Sequence, residues 1–84
     1  MLAPLDAYDH DHGGELEASL RAFLEHNARW ETAAAELFVH RHTLRYRMRK
    51  VEELTGRDLS SSFDRMEFWL ALRARELLRS TAED

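Results

Sequence analysis

The sequence contains no cysteine, a single proline and three glycines among its 84 residues. Without cysteine the chain has no disulfides and no thiolate metal sites. With so little proline and glycine, and few valines, isoleucines or threonines, it lacks the turn and strand chemistry that a β-sheet needs. Long hydrophobic runs are also missing, because the longest clear one, FWLAL (68–72), is too short to span a membrane. These absences favour an all-α protein without a membrane segment.

The beginning of the chain lacks the features of an export signal. MLAPLDAY has neither the basic start nor the extended apolar core of a secretory peptide. Hydrophobic residues make up 44% of the chain, which is too many for a disordered segment, and 84 residues suffice for one small domain. We therefore expect a folded cytoplasmic protein.

Apolar residues spaced three and four apart predict four helices, at about 15–26, 30–37, 41–55 and 62–79. Residues 1–14 combine the only proline with a DHDH run and a glycine pair, which is typical of a linker or N-terminal arm. Within that arm, Leu2, Leu5 and Tyr8 are spaced to form one short turn. The prediction is a small four-helix domain in residues 15–84, or a five-helix one if the N-terminal turn is counted.

The last predicted helix has a broad apolar face. The residues available for burial are Phe63, Met66, Trp69, Leu70, Leu72 and Leu77. Phe68 and Trp69 lie about 100° apart on a helix, so a single core does not cover both of them. We expect part of this surface to face a partner subunit.

Positive charge is concentrated in the segment FVHRHTLRYRMRK (38–50), although the whole chain has a formal charge of -4. On a helical wheel Leu44, Met48 and Val51 share one side, and the opposite side is cationic with one aromatic residue. A short predicted helix precedes this segment, whose first three residues, Phe38, Val39 and His40, form a tight connection. The pattern predicts a helix-turn-helix whose second helix enters the major groove of DNA, although Phe38 occupies a position where a turn glycine is common.

The candidate DNA contacts follow from position along that second helix. Its first turns penetrate deepest, so the candidates for base contacts are Arg41, His42, Arg45 and Tyr46. Further along, the candidates for phosphate contacts are Arg49 and Lys50. The alternative for the whole face is a solvated charged surface, and for Arg49 and Lys50 it is charge compensation at the helix C-terminus.

Four further side chains have structural alternatives of equal weight. His40 either caps the helix or meets a phosphate, and Thr43 either bonds the backbone or donates its hydroxyl to a phosphate. Arg29 precedes the first helix of the motif, where it contacts the DNA backbone or remains a free surface arginine. Arg47 lies near the buried edge, so an ion pair with a neighbouring helix and a phosphate contact are both open.

Other chemistries have little support in the sequence. The DHDH run (9–12) has no second cluster that would complete a coordination sphere, so we predict no structural metal and no cofactor. The carboxylates are scattered, and there is no nucleophile motif or glycine-rich phosphate loop. We therefore predict no catalytic residues and no enzyme activity.

The run AAAELFVHRHTLRYRMRKVEELTGRDL (33–59) closely resembles the C-terminal helix-turn-helix of PucR-type regulators, which control purine catabolism and sugar diacid use in bacteria. Three more segments also resemble that family, LAPLDAYD near the start, LEASLRAFLEHN (16–27) and DRMEFWLALRAREL (64–77), so the likeness covers nearly the whole chain. His42 stands where the family usually has asparagine. The resemblance implies a DNA-binding output domain of a transcription regulator. Family members normally carry it after a much larger sensory or effector-binding region, which is absent from this sequence, so the chain is either an excised output domain or an unusually short relative.

The basic segment and the resemblance to PucR-type regulators predict the same partner, DNA. We expect binding to double-stranded DNA as a homodimer, with two half-sites about 34 Å apart, and association with the nucleoid when bound. The alternative function is a helical protein-interaction module that docks on an acidic partner.

Overall fold

The computed structural model describes the backbone of residues 1–83 and the side chains of residues 1–81. It contains five helices and no strand in that range: α1 (Ala3–His12), α2 (Leu16–Glu25), α3 (Trp30–Leu37), α4 (Arg41–Thr55) and α5 (Ser62–Glu83). The prediction of an all-α domain is confirmed. None of these helices is long and apolar enough to cross a membrane.

Helix α2 lies at the centre of the domain, and each of the other four helices packs against it. Its side chains Leu16, Leu20 and Phe23 are buried at the spacing of one helical face. On α3 the inward residues are Ala33 and Ala34, whose small side chains let the helices approach closely. This close packing fixes α3 and α4 relative to each other and therefore fixes the geometry of the motif they form.

The N-terminal segment forms the ten-residue helix α1, where the sequence suggested only one short turn. Its proline lies at the start of the helix, where a missing N–H leaves no hydrogen bond unmade. Leu2 and Leu5 are buried in the common core, and α1 packs against both α2 and α4. Tertiary contacts therefore stabilise a helix whose own sequence is only weakly amphipathic. The domain boundary between residues 14 and 15 stays a prediction.

The DHDH run contributes structural contacts at the junction of α1 and α2. The two carboxylate oxygens of Asp9 accept hydrogen bonds from the backbone N–H groups of Leu16 at 2.9 Å and Glu17 at 3.0 Å. These bonds satisfy donors at the start of α2 that have no partner within the helix. The His12 ring stacks on Tyr8 with 3.9 Å between ring centroids. In the described residues, no three His, Cys, Asp or Glu side chains are grouped to hold a metal ion.

Only one of the two apolar faces of α5 is buried. Phe68 and Leu72 pack into the core, whereas Phe63, Met66, Leu70 and Leu77 are each at least half exposed. Of the six residues named as available for burial, only Leu72 is fully buried and Trp69 is half-buried, so the other four do not join the core. The reason is that α5 has close backbone contacts with a single helix, α2, which covers one side of it. The expectation that part of this surface faces a partner subunit stays a prediction.

An ion pair joins α5 to α1. Arg75 donates hydrogen bonds from both terminal nitrogens to the two carboxylate oxygens of Asp6, at 2.8 and 2.7 Å. The side-chain hydrogen bonds from Arg75 hold the pKa of Asp6 below its usual range, and the same pair raises the pKa of Arg75. The two ends of the described chain are thus tied together by a bidentate contact.

The connection between α3 and α4 consists of Phe38, Val39 and His40. Phe38 adopts a left-handed conformation with φ of 58°, which lets its N–H reach the Ala35 carbonyl and the Val39 N–H reach the Ala34 carbonyl. The Phe38 side chain is 95% exposed, so it gains almost no packing from this position. The turn is formed without the glycine that usually occupies it.

Phe38→Gly is expected to stabilise the domain by about 1 kcal/mol, because glycine adopts positive φ without the steric penalty of a β-carbon. For a domain of this size the midpoint of thermal unfolding should rise by roughly 4–8 °C. Phe38→Ala is the matched control, since it removes the same exposed ring and keeps the penalty. Equal midpoints for the glycine and alanine variants would show that the strain at this turn is negligible.

Candidate nucleic-acid interface

Helices α3 and α4 form a helix-turn-helix around the three-residue connection. Val39 packs against the core, and Ala34 and Leu44 are buried on either side of it, at the spacing that such motifs require. The His40 ring caps α4 by accepting a hydrogen bond from the His42 backbone N–H at 3.1 Å. The start of α4 is therefore fixed by its own sequence and by the burial of Leu44.

The two sides of α4 differ sharply in burial. Leu44, Met48 and Val51 are almost completely buried. The exposed residues of its first three turns were all predicted to contact DNA, and they are Arg41, His42, Thr43, Arg45, Tyr46 and Arg49. The other exposed residue of α4 is Glu53, in its last turn. We call the exposed group of the first three turns the basic face. The structure therefore brings six of the ten candidate residues together on one exposed surface.

Arg45 and Arg49 are the unpaired cations of the basic face. Within residues 1–81, the ion pairs of α4 involve Arg41, Arg47 and Lys50, which leaves these two arginines without an acidic partner. The Arg45 guanidinium lies 5.3 Å from the centroid of the Trp30 ring. A cation over an aromatic face is attracted by the ring, and this attraction favours one position of a flexible side chain. The Arg45 guanidinium therefore has no acidic partner in the described residues, and its contact with Trp30 favours one orientation of the side chain.

Trp30 contacts both the hydrophobic core and the basic face. One side of its ring contacts Phe23, with 4.6 Å between centroids, and Arg45 lies over the ring. Trp30 is only partly buried, so it links the hydrophobic core to the basic face. Its apolar spacing on α3 gave a signal for the core contact, but no local pattern indicated the contact with Arg45.

Two other cations of α4 are held weakly by neighbouring groups. Arg41 lies 3.4 Å from Glu31, and both side chains are largely exposed. Lys50 lies 3.6 Å from Glu53 and 5.4 Å from the Tyr8 ring centroid. Exposed pairs of this kind contribute little free energy, so a phosphate can replace the acidic partner.

Arg47 is tied to α2. Its guanidinium donates hydrogen bonds to a Glu15 carboxylate oxygen at 2.9 Å and to Ser19 Oγ at 3.1 Å. Its side chain is 17% exposed, and it provides the hydrogen bond for the completely buried Ser19. Of the two alternatives for Arg47, the geometry favours the ion pair with a neighbouring helix.

Arg29 extends the basic face towards the start of α3. It precedes the first residue of that helix, and no ion pair involves it in residues 1–81. A shallow cleft of about 300 Å³ is lined by Arg29, Trp30, Arg41 and Arg45 together with Glu31 and Thr32. Residues from both helices of the motif therefore line one cleft, in which three arginines outnumber one glutamate.

A second cleft continues the basic face towards the connection between α4 and α5. It has a volume of about 410 Å³, and its polar lining consists of Arg45, Arg49, Glu52, Ser60 and Arg65. Arg65 donates a hydrogen bond to the Leu59 carbonyl at 2.8 Å. Sequence reasoning missed Ser60 and Arg65, because the fold and not the helical periodicity brings them beside α4.

The comparisons with known proteins agree on one family. Residues 16–74 match the model of the PucR C-terminal helix-turn-helix domain. The chain is 49% identical over 59 residues, 70% of its length, to the transcriptional activator PmfR of Paenarthrobacter nicotinovorans. It is 39% identical over 66 residues, 79% of its length, to the carbohydrate diacid regulator of Escherichia coli strain K12.

A further relative is the proline-responsive transcriptional activator PutR of Bacillus subtilis strain 168, with 38% identity over 71 residues, 84% of this chain. The matched segment covers 13% of PmfR and 17% of each of the other two proteins. The chain thus spans a small part of the length of these relatives. No solved structure matches it.

Proposed function

The chain belongs to the family of PucR C-terminal helix-turn-helix domains, and from that membership we propose that it binds double-stranded DNA as the output domain of a bacterial transcription regulator. The observation that carries the proposal is the basic face of α4. Two arginines there have no acidic partner in the described residues, and the helix follows a tight turn and leaves one whole side exposed. An acidic protein partner requires positive charge, but it does not require this helix geometry.

The proposed contacts divide the basic face into two regions. The first turns of α4 enter the major groove, where the residues that face base edges are Arg41, His42, Arg45 and Tyr46. Phosphate contacts come from Arg49 and Lys50, with Thr43 and Arg29 on the flanks. His40 acts mainly as the cap of α4, and Arg47 positions the helix through Glu15 and Ser19.

In the whole regulator, we propose that this domain accompanies a larger sensory or effector-binding region and functions as a homodimer. The support for the larger region is the small share of the relatives' length that the chain covers. The support for the dimer is that one module of this size contacts few base pairs, so two copies on half-sites about 34 Å apart are needed for useful specificity.

The proposal is tested by fluorescence anisotropy with a random DNA duplex at a series of salt concentrations. We expect tight binding at low salt, with the logarithm of the association constant falling by about 3 to 4 for each tenfold increase in salt if three to five phosphates are contacted. Absence of binding at low salt by the folded domain would instead support the alternative function, docking on an acidic protein.

A further inference from the structure

The outward face of α5 carries a row of large side chains that nothing in the described structure covers. Phe63 is 64% exposed, Met66 50%, Leu70 60% and Leu77 69%. The Arg73 side chain is 55% exposed and belongs to the same row. Because successive helical residues are rotated by about 100°, these five side chains fall within a sector of about 80° around the helix axis. We call this row the α5 seam. Phe68 and Leu72, which pack into the core, lie on the opposite side of the helix.

The spacing of the α5 seam is typical of helix-to-helix packing. Phe63, Leu70 and Leu77 are seven residues apart, and Met66 and Arg73 follow the first two of them by three. A row with this repeat packs along its whole length only against another helix, because its side chains then enter the spaces between those of the partner. We propose that the α5 seam binds the same seam of a second copy of this chain, with the two helices antiparallel.

Arg73 decides the orientation of the pair. Parallel helices would place the two Arg73 side chains opposite each other within the seam, where like charges repel at reduced dielectric. In the antiparallel arrangement, the set formed by Phe63, Leu70 and Leu77 on one helix faces the set formed by Met66 and Arg73 on the other. Leu70 then packs on the aliphatic stem of Arg73 from the second copy, and Leu77 packs on Met66 of that copy.

The guanidinium of Arg73 also has suitable contacts in this arrangement. Within one chain it lies 4.5 Å from the centroid of the Trp69 ring and is 2.9 Å from Glu76. Both residues border the seam, so the charge stays at its edge while the stem is covered. The antiparallel dimer therefore does not bury an unpaired charge.

The size of the α5 seam is sufficient for a weak dimer. Five side chains that each expose about half of their surface or more, at roughly 100 Å² apiece, bury on the order of 1,000 Å² in total when two copies meet. This value lies at the lower end of specific interfaces, so we expect a weak dimer that dissociates on dilution. Neither basic face is covered, because no residue of the α5 seam lines either of the two clefts of the basic face.

Sedimentation velocity over a range of protein concentrations tests the interface. We expect the unmodified chain to dimerise and Leu70→Glu to remain monomeric, since it places two carboxylates in the centre of the seam. Leu78→Glu is the matched control, because Leu78 is 71% exposed but lies outside the seam, and it should dimerise normally. A monomeric unmodified chain at several hundred micromolar, or a dimer that tolerates Leu70→Glu, would overturn the proposal.

Single cysteines test the orientation, since the chain has no cysteine of its own. Leu70→Cys lies near the centre of the antiparallel pair, so a short bis-maleimide should cross-link two copies. Leu77→Cys would place its two thiols roughly 16–21 Å apart along the helix axis and should not react. Efficient cross-linking of both variants would mean a parallel pair and would overturn the antiparallel assignment.

The α5 dimer rests on the homodimer of the proposed function, but experiments can contradict DNA binding and the α5 dimer independently of each other. Leu70→Glu should still bind random DNA through its basic face. Loss of DNA binding by the unmodified chain would contradict the proposed function without changing the sedimentation result. A chain that binds DNA and remains a monomer would contradict only the α5 dimer.

Discussion

Replacing Arg45 and Arg49 together by alanine should weaken binding to random duplex DNA by about 100-fold at low salt. Each arginine presents a charge without an acidic partner in the described residues, so each contact with DNA requires no ion pair to be broken. A loss of about 1.4 kcal/mol per arginine gives a tenfold change for each. Anisotropy measurements should also show a shallower salt dependence, with the slope reduced by about 2.

The control for this prediction is Arg79→Glu, which changes the net charge by the same two units on α5 at a residue outside the α5 seam. Arg45, Arg49 and Arg79 are all exposed, so neither variant removes a fully buried side chain. The control should reduce affinity only slightly, because exposed charges separated by more than about 10 Å are screened at ordinary salt. Equal losses in both variants would show that DNA senses the overall charge and that α4 is not a specific recognition helix.

The buried side of α4 could be predicted from the sequence because one physical rule determines it. Leu44, Met48 and Val51 recur at helical spacing, and a polar side chain at any of them would have to be buried. Once that buried side is assigned, the cations on the opposite side of the same helix are predicted to be exposed. Sequence alone could not separate Arg47 from Arg45, because the difference arises from Glu15 and Ser19 on another helix.

The helices at the two ends of the chain were predicted less well, for two different reasons. Helix α1 is rich in aspartate and histidine, and its stability comes from contacts of Leu2 and Leu5 that local periodicity does not show. Helix α5 is apolar on two sides, so its sequence does not say which side faces the core. The packing against α2 selects Phe68 and Leu72 and leaves the other side free.

Leu5→Ala should destabilise the domain by about 2–5 kcal/mol, the usual cost of removing a fully buried leucine side chain. The change tests whether residues 1–14 are an arm or a part of the fold, because only a residue of the cooperative core has such an effect. Urea unfolding followed by circular dichroism measures it. An 84-residue domain has a total stability of roughly 4–13 kcal/mol, so this loss would be a large fraction.

The matched control is Leu78→Ala, the same substitution at a leucine that is 71% exposed on α5. It should change the free energy of unfolding by less than about 0.5 kcal/mol, since few contacts are lost. If Leu5→Ala behaved like this control, α1 would be a separable arm docked on a complete domain. A large difference between the two variants would instead place α1 in the same cooperative unit as the recognition helix, because α1 packs directly against α4. Substitutions in the N-terminal segment would then weaken DNA binding without touching DNA.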